Sequence, residues 1–173
     1  HFPVDDQSSA ALARASIALQ EQFDFDFVKI SPESSFCLTG WGLVDEWQGN
    51  YEGTRTYLHY PVQSPDDWNK IKPLDPTKGS LGEQLECVTY LQKALPKNTP
   101  YIQTIFNPLT QAHNLLGQRH LSRYLRLYPD ALKAGLDAIL ETTTRFIEEL
   151  KKREIAGIFL AIQHASYDIL NED

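Results

Sequence analysis

Three short apolar runs constrain this chain more than anything else in it: Asp26-Phe27-Val28-Lys29-Ile30-Ser31, Tyr101-Ile102-Gln103-Thr104-Ile105-Phe106 and Gly157-Ile158-Phe159-Leu160-Ala161-Ile162. Their length and their β-branched and aromatic content mark them as strands. Residues 32–100 and 107–156 separate them, far more than a hairpin turn needs, and both stretches carry helical periodicity. Strands spaced in this way pair in parallel through right-handed crossovers. Their near-continuous apolar character fits strands covered on both faces. The expected class is α/β, and three strands are too few for such a sheet, so further strands are expected from outside these residues.

The helices between the strands are legible from their periodicity. Ser8-Ser9 caps a helix whose apolar positions are Ala10, Leu12, Ala15, Leu19 and Phe23. A second long helix starts at Ser80, with Leu81, Leu85, Val88, Leu91 and Leu95 on one face and Pro96 beyond its end. Helical patterns resume at Leu109–Leu116 and Arg119–Leu127. The clearest runs from Pro129 to Arg153, with Leu132, Leu136, Ile139, Leu140, Phe146, Ile147 and Leu150 as its stripe. Two aromatic-rich runs around Gln48-Gly49-Asn50 and Gly53 predict a hairpin-like insertion after the first strand. Ser64-Pro65 opens a short helix, because Pro is preorganised for the first helical position. Residues 1–173 read as a single domain.

Charge and cysteine usage exclude several classes. Sixteen Lys and Arg against 23 Asp and Glu leave a formal charge of −7, the wrong sign for a nucleic-acid footprint. No apolar run approaches the roughly 18 residues of a membrane span. Cys37 and Cys87 match no zinc spacing and cannot build a disulfide framework. They read as incidental thiols of a soluble, cytoplasmic protein. The chain opens at His1 and contains no Met, which together with the strand argument predicts a piece of a larger protein.

In a parallel sheet the chemistry lies at the carboxyl ends of the strands. Ser31-Pro32-Glu33-Ser34-Ser35, Asn107-Pro108-Leu109-Thr110-Gln111 and Gln163-His164-Ala165-Ser166-Tyr167 follow the three strands, and each is rich in polar side chains. His164 reads equally as a hydrogen-bonded structural histidine and as an acid–base group. Glu33 either solvates its loop or acts on a ligand. Asn107 before Pro108 is either a turn device or a substrate-facing amide, and Tyr167 either closes a pocket or packs. A doubly wound sheet and a (β/α)8 barrel both fit the alternation. No glycine-rich phosphate loop, G-x-S-x-G elbow or zinc cluster selects a reaction.

Gly82-Glu83-Gln84-Leu85-Glu86-Cys87, Gln103-Thr104-Ile105-Phe106-Asn107-Pro108-Leu109-Thr110-Gln111-Ala112 and Gly157-Ile158-Phe159-Leu160-Ala161-Ile162-Gln163-His164-Ala165 resemble, in order and spacing, the uroporphyrinogen decarboxylase family, in its divergent bacterial branch. The resemblance implies a partial (β/α)8 TIM barrel whose strands here are the second, third and fourth of eight. It implies cofactor-independent removal of acetate carboxyls from a cyclic tetrapyrrole, converting uroporphyrinogen to coproporphyrinogen. Carried over residue by residue, the family's pyrrole-binding Asp falls near Glu33, its Ser-His pair on Gln163-His164 and its tyrosine near Asn114. Glu33 and His164 are thus the expected catalytic residues, and Ser31, Asn107, Gln111, Asn114, Gln163 and Tyr167 the expected substrate-binding ones. Glu for Asp, Gln for Ser and Asn for Tyr depart from the family pattern, and its arginines would lie before His1. No cofactor or metal ligand is expected within this chain. The expected partner is a tetrapyrrole or corrinoid small molecule, with a homodimer left open. Two alternatives remain: a corrinoid-dependent zinc methyltransferase of the same superfamily, and a non-catalytic barrel that binds its ligand unchanged.

Overall fold

A computed structural model describes residues 2–117 and 121–163. Helix α1 (Ser9–Phe23) begins where the Ser8 hydroxyl accepts a hydrogen bond from the Ala11 amide at 3.1 Å, satisfying a backbone donor that has no partner within the helix. It ends at Asp24, which takes a left-handed conformation at φ 49°. Strand β1 (Val28–Ile30) follows, then the antiparallel hairpin β2 (Val44–Trp47) and β3 (Arg55–His59). The Asn50 side chain fixes the hairpin tip, accepting from the Thr54 amide and donating to the Thr54 carbonyl. A 3-10 turn (Pro65–Lys70) leads through a loop to helix α2 (Gly79–Ala94) and strand β4 (Tyr101–Phe106). Helices α3 (Pro108–Leu116), α4 (Leu121–Leu127) and α5 (Pro129–Lys151) precede strand β5 (Gly157–Ala161).

Strands β1, β4 and β5 form one parallel sheet with β4 in the centre. Ile30 lies opposite Gln103, and Phe106 opposite Ala161. On one face Val28, Ile30, Gln103 and Ile105 are buried beneath the helices. Side chains alternate across a strand, so Lys29, Ile102, Thr104 and Phe159 belong to the other face. No described helix covers that face, and Lys29 and Phe159 are exposed there. The expected covering of both faces is therefore not met within the described residues: β5 leaves Ile158, Phe159 and Leu160 open, because no described element packs across it.

The α2 stripe is buried as its periodicity predicts, Leu81, Leu85, Val88, Leu91 and Leu95 all facing the core. In α1 the buried face is instead Leu12, Ala13, Ser16 and Gln20, while Phe23 is 54% exposed and Leu19 also faces out. Helix α1 packs against α2, and the small residues Ala13 and Ser16 lie on its buried side. The Ser16 hydroxyl bonds to the Leu12 carbonyl and the Gln20 amide nitrogen to the Phe25 carbonyl, which offsets the cost of burying those two groups, while Gln20 Oε1 is buried without a hydrogen-bond partner among the described residues. In α5 the stripe runs through Leu132, Gly135, Ile139, Thr142, Phe146 and Leu150, and Leu140 faces solvent.

Gly135 explains how the 3-10 turn docks. Trp68 is fully buried, and a Cβ placed on Gly135 would lie 2.0 Å from its Cε3. The indole thus fills the space that any other residue's side chain would need. Gly in a helix interior normally costs up to about 1 kcal/mol relative to Ala, yet here overlap with a rigid, fully buried ring outweighs that gain. Gly135→Ala is expected to lower stability by roughly 1–3 kcal/mol, read as a lower urea midpoint at unchanged slope. A raised midpoint would show that Trp68 does not pack on Gly135.

Candidate functional site

The parallel register places the carboxyl ends of β1, β4 and β5 at the same end of the sheet. After β1, Pro32 turns the chain out of the strand and Glu33 becomes half-buried beside the hairpin. Its Oε2 accepts a hydrogen bond from Gln7 Nε2 at 2.9 Å and lies 3.5 Å from the Arg55 guanidinium. Arg55 makes its tight ion pair with Asp6 instead and also donates to the Pro3 carbonyl at 3.2 Å. The Asp6 and Arg55 side chains are 0% and 4% exposed, so this pair is held away from water, while Glu33 at 14% stands at its edge. One guanidinium therefore faces two carboxylates, with Asp45 acting from the hairpin as a third. Burial pushes the Glu33 carboxyl above its ordinary value, the Gln7 hydrogen bond opposes this, and Asp45 adds to the rise. Ser31, one residue past the strand, accepts from Lys29 Nζ at 3.2 Å.

The ends of β4 and β5 are joined by side chains. Asn107 Oδ1 accepts from the Thr110 hydroxyl and lies 3.4 Å from the Gln163 amide, and the same hydroxyl is 3.1 Å from the Gln163 carbonyl. Asn107 is therefore a clamp between two strand ends, with Gln163 exposed beside it. Gln111 is buried, and its amide nitrogen bonds to the Phe106 carbonyl at 2.8 Å and to Thr143 Oγ1 at 3.1 Å, tying the strand to α5. Asn114 is half-buried on α3, with Oδ1 3.3 Å from His113 Nδ1. His164 and Tyr167 lie outside the described residues. The described rim thus gathers Asn107 with Gln163, Ser31 with Lys29, and Glu33 with Arg55.

Arg55, Asp6, Thr110 and Lys29 were not singled out from the sequence. For Lys29 the available signal was a lone charge inside an otherwise apolar strand run; Arg55, Asp6 and Thr110 stand in polar surroundings in the sequence and carry no such signal. Among the described residues no group of three or more His, Cys, Asp or Glu converges as a metal site. Burial pushes the Cys37 and Cys87 thiols up to about 12, so neither is a nucleophile at neutral pH. No described helix is long and apolar enough to cross a membrane.

A family model described as "Uroporphyrinogen decarboxylase (URO-D)" matches residues 3–172. No curated protein matches the chain. Among solved structures, a methyltransferase from Methanosarcina mazei superposes with a TM-score of 0.81 at 15% identity, over 95% of this chain and 48% of that one. The chain spans about half the length of that structure, and the likeness identifies its fold as a partial (β/α)8 barrel.

The environment of Glu33 has a measurable signature. A carboxyl raised in the folded state holds its proton more tightly there than in the unfolded chain. The stability this gives is full below its ordinary value of 4.5 and is lost as pH rises through the raised one. Glu33→Gln removes this titration while Asp6, Asp45 and Arg55 remain. The melting temperature of the wild type minus that of Glu33→Gln should therefore fall as pH rises from about 4 to 7. A difference that stays flat or climbs would mean that Glu33 is not desolvated.

Proposed function

The chain belongs to the uroporphyrinogen decarboxylase family, and on that premise we propose that the complete protein is a uroporphyrinogen decarboxylase-like carboxy-lyase acting on a cyclic tetrapyrrole without a cofactor. Residues 1–173 form part of a single domain in this reading, and free, buried thiols suit a reducing cytoplasm. The observation that carries it is Glu33, a half-buried carboxylate at the carboxyl end of β1 with one guanidinium shared between it and Asp6.

The chemistry asks for such a group. Protonation of a pyrrole ring carbon creates the electron sink, and the bond between the acetate methylene and its carboxylate then breaks toward it. CO2 leaves, a proton is added at the methylene, and the ring carbon releases its own proton to restore the aromatic ring. A carboxylate facing the pyrrole N–H groups accepts their hydrogen bonds and favours the cationic ring over the neutral one. Glu33 has that role here, with Gln7 and Arg55 fixing its orientation. We assign proton delivery to His164, and contacts to the rest of the macrocycle to Ser31, Asn107 and Gln163.

The fold likeness to a methyltransferase favours a second reading, methyl transfer from a corrinoid to a thiol on zinc held outside the described residues. Anaerobic incubation of the complete protein with uroporphyrinogen, read by mass spectrometry, separates the two. Stepwise loss of CO2, slowed about 100-fold or more by Glu33→Gln at an unchanged fold, is the expected result. No loss of CO2, with stoichiometric zinc and methyl transfer from methylcobalamin to a thiol, would overturn the decarboxylase reading. Binding of the porphyrinogen without product would leave a non-catalytic barrel.

A further inference from the structure

Lys29 is the only charged residue in the three strands Val28–Ile30, Tyr101–Phe106 and Gly157–Ala161. It lies on the face of the sheet that no described helix covers. The register sets it level with Ile102 and Gly157, yet its ammonium sits 4.7 Å from the centre of the Phe159 ring. Phe159 is two residues further toward the carboxyl end of β5. The side chain therefore leans across β4 and up toward the rim, where its Nζ also donates to Ser31 Oγ at 3.2 Å.

These two partners hold the ammonium without neutralising it. A ring face attracts a cation through its quadrupole and a hydroxyl accepts a hydrogen bond, but neither carries a negative charge. No carboxylate among the described residues pairs with Lys29, whereas Arg55, the other cation near the rim, is paired with Asp6. An oriented cation with no counter-charge among the described residues, set beside Ile102, Thr104 and Phe159, is suited to an anionic ligand group. We propose that Lys29 is an anion-binding residue of this face, which takes a carboxylate of the bound ligand. The choice of a carboxylate rests on the tetrapyrrole reading above, since the arms of that macrocycle end in carboxylates.

The test uses the complete protein as wild type, Lys29→Met and Lys29→Arg, with folding checked by circular dichroism. Uroporphyrin serves as the probe, its binding followed by fluorescence across a salt series. The expected result is binding by the wild type, a loss of about 10-fold in Lys29→Met with a flatter salt dependence, and recovery of most of it in Lys29→Arg. Equal affinity and equal salt dependence in wild type and Lys29→Met would overturn the proposal. If the wild type does not bind uroporphyrin, the tetrapyrrole reading fails, and Lys29 is then judged alone. Lysines carrying 13C-methyl groups are titrated with succinate and with inorganic phosphate by NMR. A saturable shift of the signal that Lys29→Arg removes would keep the anion site and tell a carboxylate from a phosphate source. No such shift with either anion would overturn the proposal.

Discussion

Strand β4 is hydrogen-bonded in parallel along both edges, and the rest of the structure depends on that arrangement. Its pairing with β1 and β5 fixes where each strand ends, so the polar segments after them come to one end of the sheet. Side chains reinforce the same register. Thr104 donates to the Ile30 carbonyl at 2.7 Å across the β1 edge, and Asn107 with Thr110 grips Gln163 across the β5 edge. Gln111 takes the Phe106 carbonyl as β4 ends and passes the connection to α5 through Thr143. Parallel ladders leave carbonyls at their carboxyl ends that the next strand residue no longer covers. Satisfying them with amides and hydroxyls is what stiffens this rim.

The helix-covered face and the open face use charge in opposite ways. Beside the covered face, the hairpin carries Arg55 inward to Asp6, joining the first described residues to an element far along the chain. Removing Arg55 would leave Asp6 buried without a counter-charge, so this pair acts as a lock more than as a source of net stability. Glu33 stands at its border, where its own desolvation outweighs the field it receives from Arg55. On the open face the Lys29 ammonium contacts the Phe159 ring and the Ser31 hydroxyl, both of them neutral. The same few residues at the end of β1 thus lie between a compensated cation and one with no counter-charge among the described residues.

How much of this was legible follows from the range of each interaction. Strand β4 and the α2 stripe depend on local apolar content, and the structure places both where the pattern does. In α1 the apolar positions Leu19 and Phe23 satisfy the same periodicity as Leu12 but face outward, while the polar Ser16 and Gln20 are buried through hydrogen bonds to backbone carbonyls that apolar periodicity does not register. Leu140 fails for a related reason, since Gly135 and Thr142 occupy the stripe where Trp68 and the Leu74 amide need room and a hydrogen bond. The Asp6–Arg55–Glu33 cluster joins three segments distant in sequence, and no pattern along the chain encodes such a meeting. Gln111 shows the converse: its place after a strand suggested a ligand-facing amide, while its hydrogen bonds turn it into the core.

A (β/α)8 barrel carries many chemistries, so neither family membership nor fold likeness chooses one here, and the function has to be argued from the site. The end of β1 places a carboxylate, Glu33, and an ammonium, Lys29, four residues apart on one segment, with a hydroxyl between them. A ligand that matches both charges would present hydrogen-bond donors and carboxylates on the same molecule. On the tetrapyrrole reading proposed above, pyrrole rings bearing acetate arms meet this demand, with the ring N–H groups directed to the carboxylate and an arm to the ammonium. On the proposed reading such an arrangement would also discriminate: loss of an acetate carboxyl would remove the group that the ammonium attracts, so affinity for the product would fall as the reaction proceeds. The bipolar segment would then favour release of the decarboxylated ligand, a property that a purely acidic rim would not provide.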